Sequence, residues 1–116
     1  MSKHQVILCI VNSGFTEQAM DAAKQFGARG GTVFHARGTV SKEAEKFFNI
    51  TVQPEKEIVM ILVEGKHKDN ILRALYNAVG TNTPAQGIAF SLPVDEVVGF
   101  GNELPKIEEK VRINKK

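Results

Sequence analysis

The chain has 116 residues, 42% of them apolar and 24% charged, which suits one domain around a single core and excludes a disordered polyampholyte. With 15 Lys and Arg against 13 Asp and Glu the formal charge is +2, and much of that excess lies in Val111–Lys116. No Trp, one Tyr and no basic run in the body argue against a nucleic-acid partner. Cys9, the only cysteine, sits inside the apolar run Val6–Val11, so no disulfide can close within the chain, and a reducing, cytoplasmic setting is expected. Met1–His4 leads into an apolar run far shorter than the about 20 residues of a membrane helix, so neither targeting nor direct membrane insertion is expected.

In chain order, Val6–Val11 reads as the first strand. After the turn signal Asn12-Ser13-Gly14, apolar residues at Phe15, Ala19, Ala22, Ala23 and Phe26 follow the three-to-four spacing of a helix, and Gly27 stops it. Thr32–Ala36 is a second strand by its β-branched and aromatic content. The polar stretch Thr39–Glu57 has little periodicity; its segment Phe47–Val52 either extends a strand or packs one side of a loop. Ile58–Val63 is a continuously apolar third strand, expected to be covered on both faces. A second helix runs from about His67 to Val79, with Ile71, Leu72, Leu75, Ala78 and Val79 on one stripe and Gly80 at its end. The polar loop 81–87 then leads to a fourth strand, Ile88–Val94, where Pro93 marks an end or an edge.

Strand, helix, strand occurs twice. This order specifies a ferredoxin-like double βαβ fold, an α+β sandwich in which two helices cover one face of a four-stranded antiparallel sheet. One sheet face is then left bare. The first and third runs are apolar at both alternating sets of positions, so that face also needs cover, and a homo-oligomer with packed sheets is the economical solution. A charge at Ile61 or Leu8 is expected to cost assembly before helix content.

The layout and several local motifs resemble the PII signal-transduction family over roughly residues 5–100. The most specific pieces are Gly31-Thr32-Val33 leading into the second strand, Arg37-Gly38-Thr39 leaving it, and Gly87–Val98 with its Pro93-Val94 exit. The resemblance implies one PII-like domain over 1–116, with a partner-docking loop at about 39–56 and a C-terminal tail at about 101–116. It also implies a trimer with small effectors, typically adenine nucleotides, in the clefts between subunits, and no catalysis. The regulated partner it suggests first is a membrane transporter, because family members commonly control them.

Several positions depart from the family pattern. The loop is shorter than usual and has no Tyr, which rules out tyrosine uridylylation there, since Tyr76 lies in the second helix. The phosphate-cradling stretch reads Pro84-Ala85-Gln86-Gly87-Ile88, with one of the expected glycines and Ile88 in place of Lys. The family's two arginines after the fourth strand correspond to Gly99 and Gly101. A triphosphate is normally met by Lys, Arg or a metal, so ATP binding is expected to be altered or lost.

The candidate ligand residues are Thr32, Arg37, Gly38, Thr39, Thr81, Asn82, Thr83 and Gly87. By resemblance Thr32 contacts an adenine ring; equally, it is an ordinary β-former on a strand. Gly38 would let backbone approach a ligand and Arg37 would pair with an anion, against the plainer reading of a turn glycine beside a solvated Arg. Thr81, Asn82, Thr83 and Gly87 would supply hydroxyl and amide donors, or form a plain connection. His35, mid-strand, could converge with its copies in a trimer, although a satisfied interface His is commoner; His4 and His67 lack ligand spacing. No nucleophile–base set can be assembled, Glu43, Glu45 and Lys46 reading as solvated loop charges, and no cofactor is expected. Two rivals stay open: a metal-binding trimer of the divalent-cation-tolerance type, and a small enzyme on the same scaffold. The tail segment Pro105–Ile113 either folds over the cleft or stays mobile.

Overall fold

The computed structural model describes residues 3–39 and 54–100 and, between them, Glu43, Lys46 and Phe47. The elements run β1 (His4–Asn12), α1 (Thr16–Lys24), β2 (Thr32–Arg37), β3 (Glu55–Glu64), a 3-10 turn (Gly65–His67), α2 (Lys68–Val79) and β4 (Ile88–Val94). The strands form one sheet in the order β2-β3-β1-β4, with every neighbouring pair antiparallel. This is the ferredoxin-like arrangement expected from the doubled βαβ order. The tail 101–116 and most of the loop, including Ile50–Val52, lie outside the described residues. Glu43, Lys46 and Phe47 have helical backbone, so the strand reading of 47–52 does not hold at Phe47.

α1 is built from good helix formers, with Glu17 in its first turn and Lys24 in its last, both favourable to the helix dipole. It buries Ala19 and Ala23 completely, and these small side chains let the helix sit close on the sheet. The helix ends two residues before Phe26, which is 43% exposed and stands outside the stripe assigned to it. The cause is Gly27, whose φ of +114° turns the chain while Ala28 N donates to Ala23 O at 3.2 Å. α2 presents Ile71, Leu75 and Val79, as its spacing predicts.

The register separates the two faces of the sheet. Ile7, Cys9 and Val11 on β1 and Val59, Ile61 and Val63 on β3 are each at most 1% exposed and meet the helices. Their alternates, Val6, Leu8 and Ile10 with Ile58, Met60 and Leu62, are half-buried on the bare face. On the flanking strands of that face Phe34, Ile88, Phe90 and Leu92 are 41–57% exposed. Ile61 and Leu8, grouped together on sequence grounds, thus belong to different faces: Ile61 is part of the domain's own core, and only Leu8 lies on the bare face. His35 also alternates away from that face, and its Nδ1 lies 3.5 Å from Glu57 Oε2.

Cys9 is a core residue, and burial pushes its thiol up from 9.0 to about 11. Between pH 9 and 11 the unfolded chain releases a proton that the folded chain keeps, so stability falls as pH rises through that window. The loss is about 2–3 kcal/mol. Urea midpoints measured from pH 8 upward should therefore drop more steeply in wild type than in Cys9→Ala; parallel curves would show that the thiol ionises as easily folded as unfolded.

Candidate functional site

The eight candidate residues divide between the two ends of the sheet. Thr32 begins β2 opposite Met60, while Arg37 ends it opposite Glu55. Five steps of about 3.3 Å separate them, roughly 16 Å along the strand.

At the Thr32 end, a recess of about 630 Å³ opens beside the bare face, lined by Arg29, Gly30, Gly31, Thr32, Met60 and Phe100 among others. The Arg29 guanidinium lies 4.8 Å from the centre of the Phe100 ring, and Phe100 meets the His4 ring edge-on at 5.5 Å. The segment after β4 is thereby folded back across the end of the sheet, and Arg29 puts a cation in the recess that Thr32 lines, where Gly99 supplies none.

At the other end of the sheet lie Arg37, Gly38 and Thr39, where β2 leaves one edge, and the loop 81–87, which enters β4 on the opposite edge. Thr39 and Arg37 are exposed, and Arg37 alternates onto the helix-facing side of the edge strand. Gly38 N donates to Pro54 O at 2.8 Å, extending the β2–β3 ladder by one rung and closing the base of the loop. Within 81–87, Thr83 Oγ1 donates to Gly80 O at 2.7 Å and Asn82 Nδ2 approaches the Tyr76 hydroxyl at 3.4 Å. Thr83 therefore spends its hydroxyl proton on the turn itself, while Thr81 stays exposed. Gly87 is buried and donates to Val79 O at 2.7 Å; a Cβ there would run into that same carbonyl, so its lack of a side chain is a packing requirement.

Two residues absent from the sequence-based candidates tie these groups together. Asn12, 5% exposed at the end of β1, donates from Nδ2 to Pro84 O at 3.0 Å and more weakly to Gln86 Oε1 at 3.4 Å. Its backbone N donates to Ala85 O at 2.9 Å. Its Oδ1 accepts from Lys56 Nζ at 2.6 Å, and the Lys56 stem lies against Gly38. Gln86 holds φ +49°, a left-handed backbone unusual for a residue with a side chain. Asn12 reads in sequence as a turn former and Lys56 as one more solvated charge, and 44 positions separate them; only the antiparallel register, which sets Asn12 opposite Lys56, brings them together.

Among the described residues no three His, Cys, Asp or Glu side chains converge as metal ligands, which leaves the divalent-cation reading without a ligand set there. Nor is any described helix long and apolar enough to cross a membrane.

No curated protein sequence matches the chain. Among solved structures, Arabidopsis thaliana PII bound to citrate is similar over 86% of this chain and 82% of its own, with 24% identity and a TM-score of 0.65. The Bacillus subtilis GlnK–ATP complex is similar over 84% and 88%, at 14% identity and a TM-score of 0.64. A putative PII-like signalling protein from Thermus thermophilus covers 77% and 83%, at 18% identity and a TM-score of 0.58. These likenesses establish the fold. The model of the nitrogen regulatory protein P-II family matches residues 4–102, nearly the whole described domain, and the chain belongs to that family.

Proposed function

We propose that this chain is a cytoplasmic, non-catalytic sensor that assembles as a trimer, binds an adenine nucleotide in the clefts between subunits and controls a partner protein, a membrane transporter foremost, through the loop 39–56. The observation that carries this reading is the division of the candidate residues. Thr32 with Arg29 and the group Arg37–Thr39 with 81–87 stand at opposite ends of one sheet, so they can serve one ligand only if neighbouring chains bring opposite ends together. The apolar bare face supplies the reason for chains to associate, since exposed Phe34 on one edge strand and Ile88, Phe90 and Leu92 on the other, with the half-buried apolar rows of β3 and β1 between them, are costly in water. Two of the structural relatives were solved with a small molecule bound, citrate in one and ATP in the other, which supports a small-effector site on this fold.

The loop would act as an order–disorder element, biased by the difference in effector affinity between its two states. Thermal-shift and calorimetric titrations with ATP, ADP, AMP, cyclic nucleotides and 2-oxoglutarate, with and without magnesium, test the reading. An adenine nucleotide at 100 times its Kd should stabilise the protein by about 2.7 kcal/mol. Absence of a shift with every adenine nucleotide would remove the nucleotide-sensor function.

A further inference from the structure

In the family pattern a Lys follows the loop glycines, and here Ile88 stands in its place. Lys56 comes from a different strand, yet its ammonium is one hydrogen bond from Asn12, which in turn holds Pro84 O, Gln86 Oε1 and the backbone carbonyl of Ala85. Parity along β3 puts Lys56 on the same side as Ile58, Met60 and Leu62, the bare face that would border a cleft in the proposed trimer. Arg37, the nearby cation singled out in the sequence, alternates to the other side.

We propose that Lys56 is the phosphate-binding cation of the effector site, resting on Asn12 Oδ1 when the site is empty and moving to the ligand's phosphate oxygens when it fills. This rests on the nucleotide-sensor reading above and deepens it. A neutral amide oxygen is a weaker acceptor than a phosphate oxygen, so the exchange runs toward the ligand. The same move reaches the partner loop. The Lys56 stem lies so close to Gly38 that a Cβ there would come within 2.8 Å of Lys56 Cε. Lys56 follows the residues that close the loop's end, and Gly38, held to Pro54 O, closes its start. Shifting the ammonium therefore shifts the packing at both ends of the 39–56 segment, and frees Asn12 and the left-handed Gln86 to readjust around the ligand. No metal is needed for the relay, although one bound with the nucleotide would share the same oxygens.

The test compares ADP with adenosine, which lacks the phosphates, by calorimetry on wild type, Lys56→Gln, and Lys56→Gln combined with Ile88→Lys. Loss of one charge-assisted hydrogen bond should weaken ADP about 10- to 100-fold in Lys56→Gln. Adenosine affinity should stay within about twofold, which a general structural defect would not allow. Restoring a lysine at the family position in the double variant should recover most of the ADP affinity. Cleavage after Glu43 by a Glu-specific protease should respond to ADP in wild type and lose that response in Lys56→Gln. Equal ADP affinity in wild type and Lys56→Gln would overturn the role of Lys56 while leaving the nucleotide sensor intact. A wild type that binds neither adenosine nor ADP would instead overturn the sensor reading and this inference together.

Discussion

Replacing Ile61 with Asp is expected to abolish folding. Ile61 is fully buried on the helix-facing side of β3, directly opposite Ile7 on β1, in the cluster that α1 and α2 cover. An Asp there loses the transfer energy of the isoleucine and places a carboxylate among the aliphatic side chains of that cluster. Removing the aliphatic group alone costs about 2–5 kcal/mol. An unpaired buried polar group adds about 1–3 kcal/mol, and more if it stays charged. Domains of this size are stable by only about 5–15 kcal/mol, so the sum consumes most or all of the margin. Circular dichroism should show loss of helix signal at 25 °C, while Ile61→Val should remain folded and lose about 0.5–1.5 kcal/mol in urea. A cooperatively folded Ile61→Asp chain would mean that β3 is not packed as described.

Replacing Leu8 with Asp should have the opposite pattern, loss of assembly with the fold kept. Leu8 lies between Met60 on β3 and Phe90 on β4, all on the bare face. In an isolated chain an aspartate there can stay hydrated, so its cost to the monomer should be about 1 kcal/mol. Between packed sheets, three carboxylates would be drawn out of water near one axis without counter-charges, costing several kcal/mol each. Size-exclusion chromatography with light scattering should give three chain masses for wild type and one for Leu8→Asp at micromolar concentration, with unchanged circular dichroism. A wild type running as a monomer would sink the trimer outright. A Leu8→Asp trimer would place the subunit contacts on some other surface.

These paired variants also mark where sequence reasoning stops. Strands, helices and their order were legible because Gly27 and Gly80 punctuate the helices and the α2 stripe repeats cleanly. The faces of β1 and β3 were not. Both alternating rows of each strand are apolar, one packed under the helices and the other on the bare face, so periodicity carries no information on which is which. Ile61 and Leu8 looked equivalent for that reason. In the candidate site, Thr32, Gly38 and Gly87 could be found from local motifs, but a motif cannot report that Thr32 stands a strand's length from Gly38. Nor could it report that Gly87 is required by the Val79 carbonyl, or that Thr83 uses its hydroxyl within its own turn. Asn12 and Lys56 were invisible because their meaning comes from a cross-strand pairing, and each alone has an ordinary explanation.

The hydrogen bond between Gly38 and Pro54 bears on how this family diversifies. It joins the two stems of the intervening segment within the sheet, and the described core is built from residues outside that segment. The cost of closing such a segment grows only logarithmically, about 0.6 kcal/mol for each doubling of length. Insertions, deletions and wholesale exchange of the loop are therefore nearly free to the rest of the molecule. A scaffold of this kind can take up a different stretch between Gly38 and Pro54 while the Lys56–Asn12 contact beside that rung stays as it is.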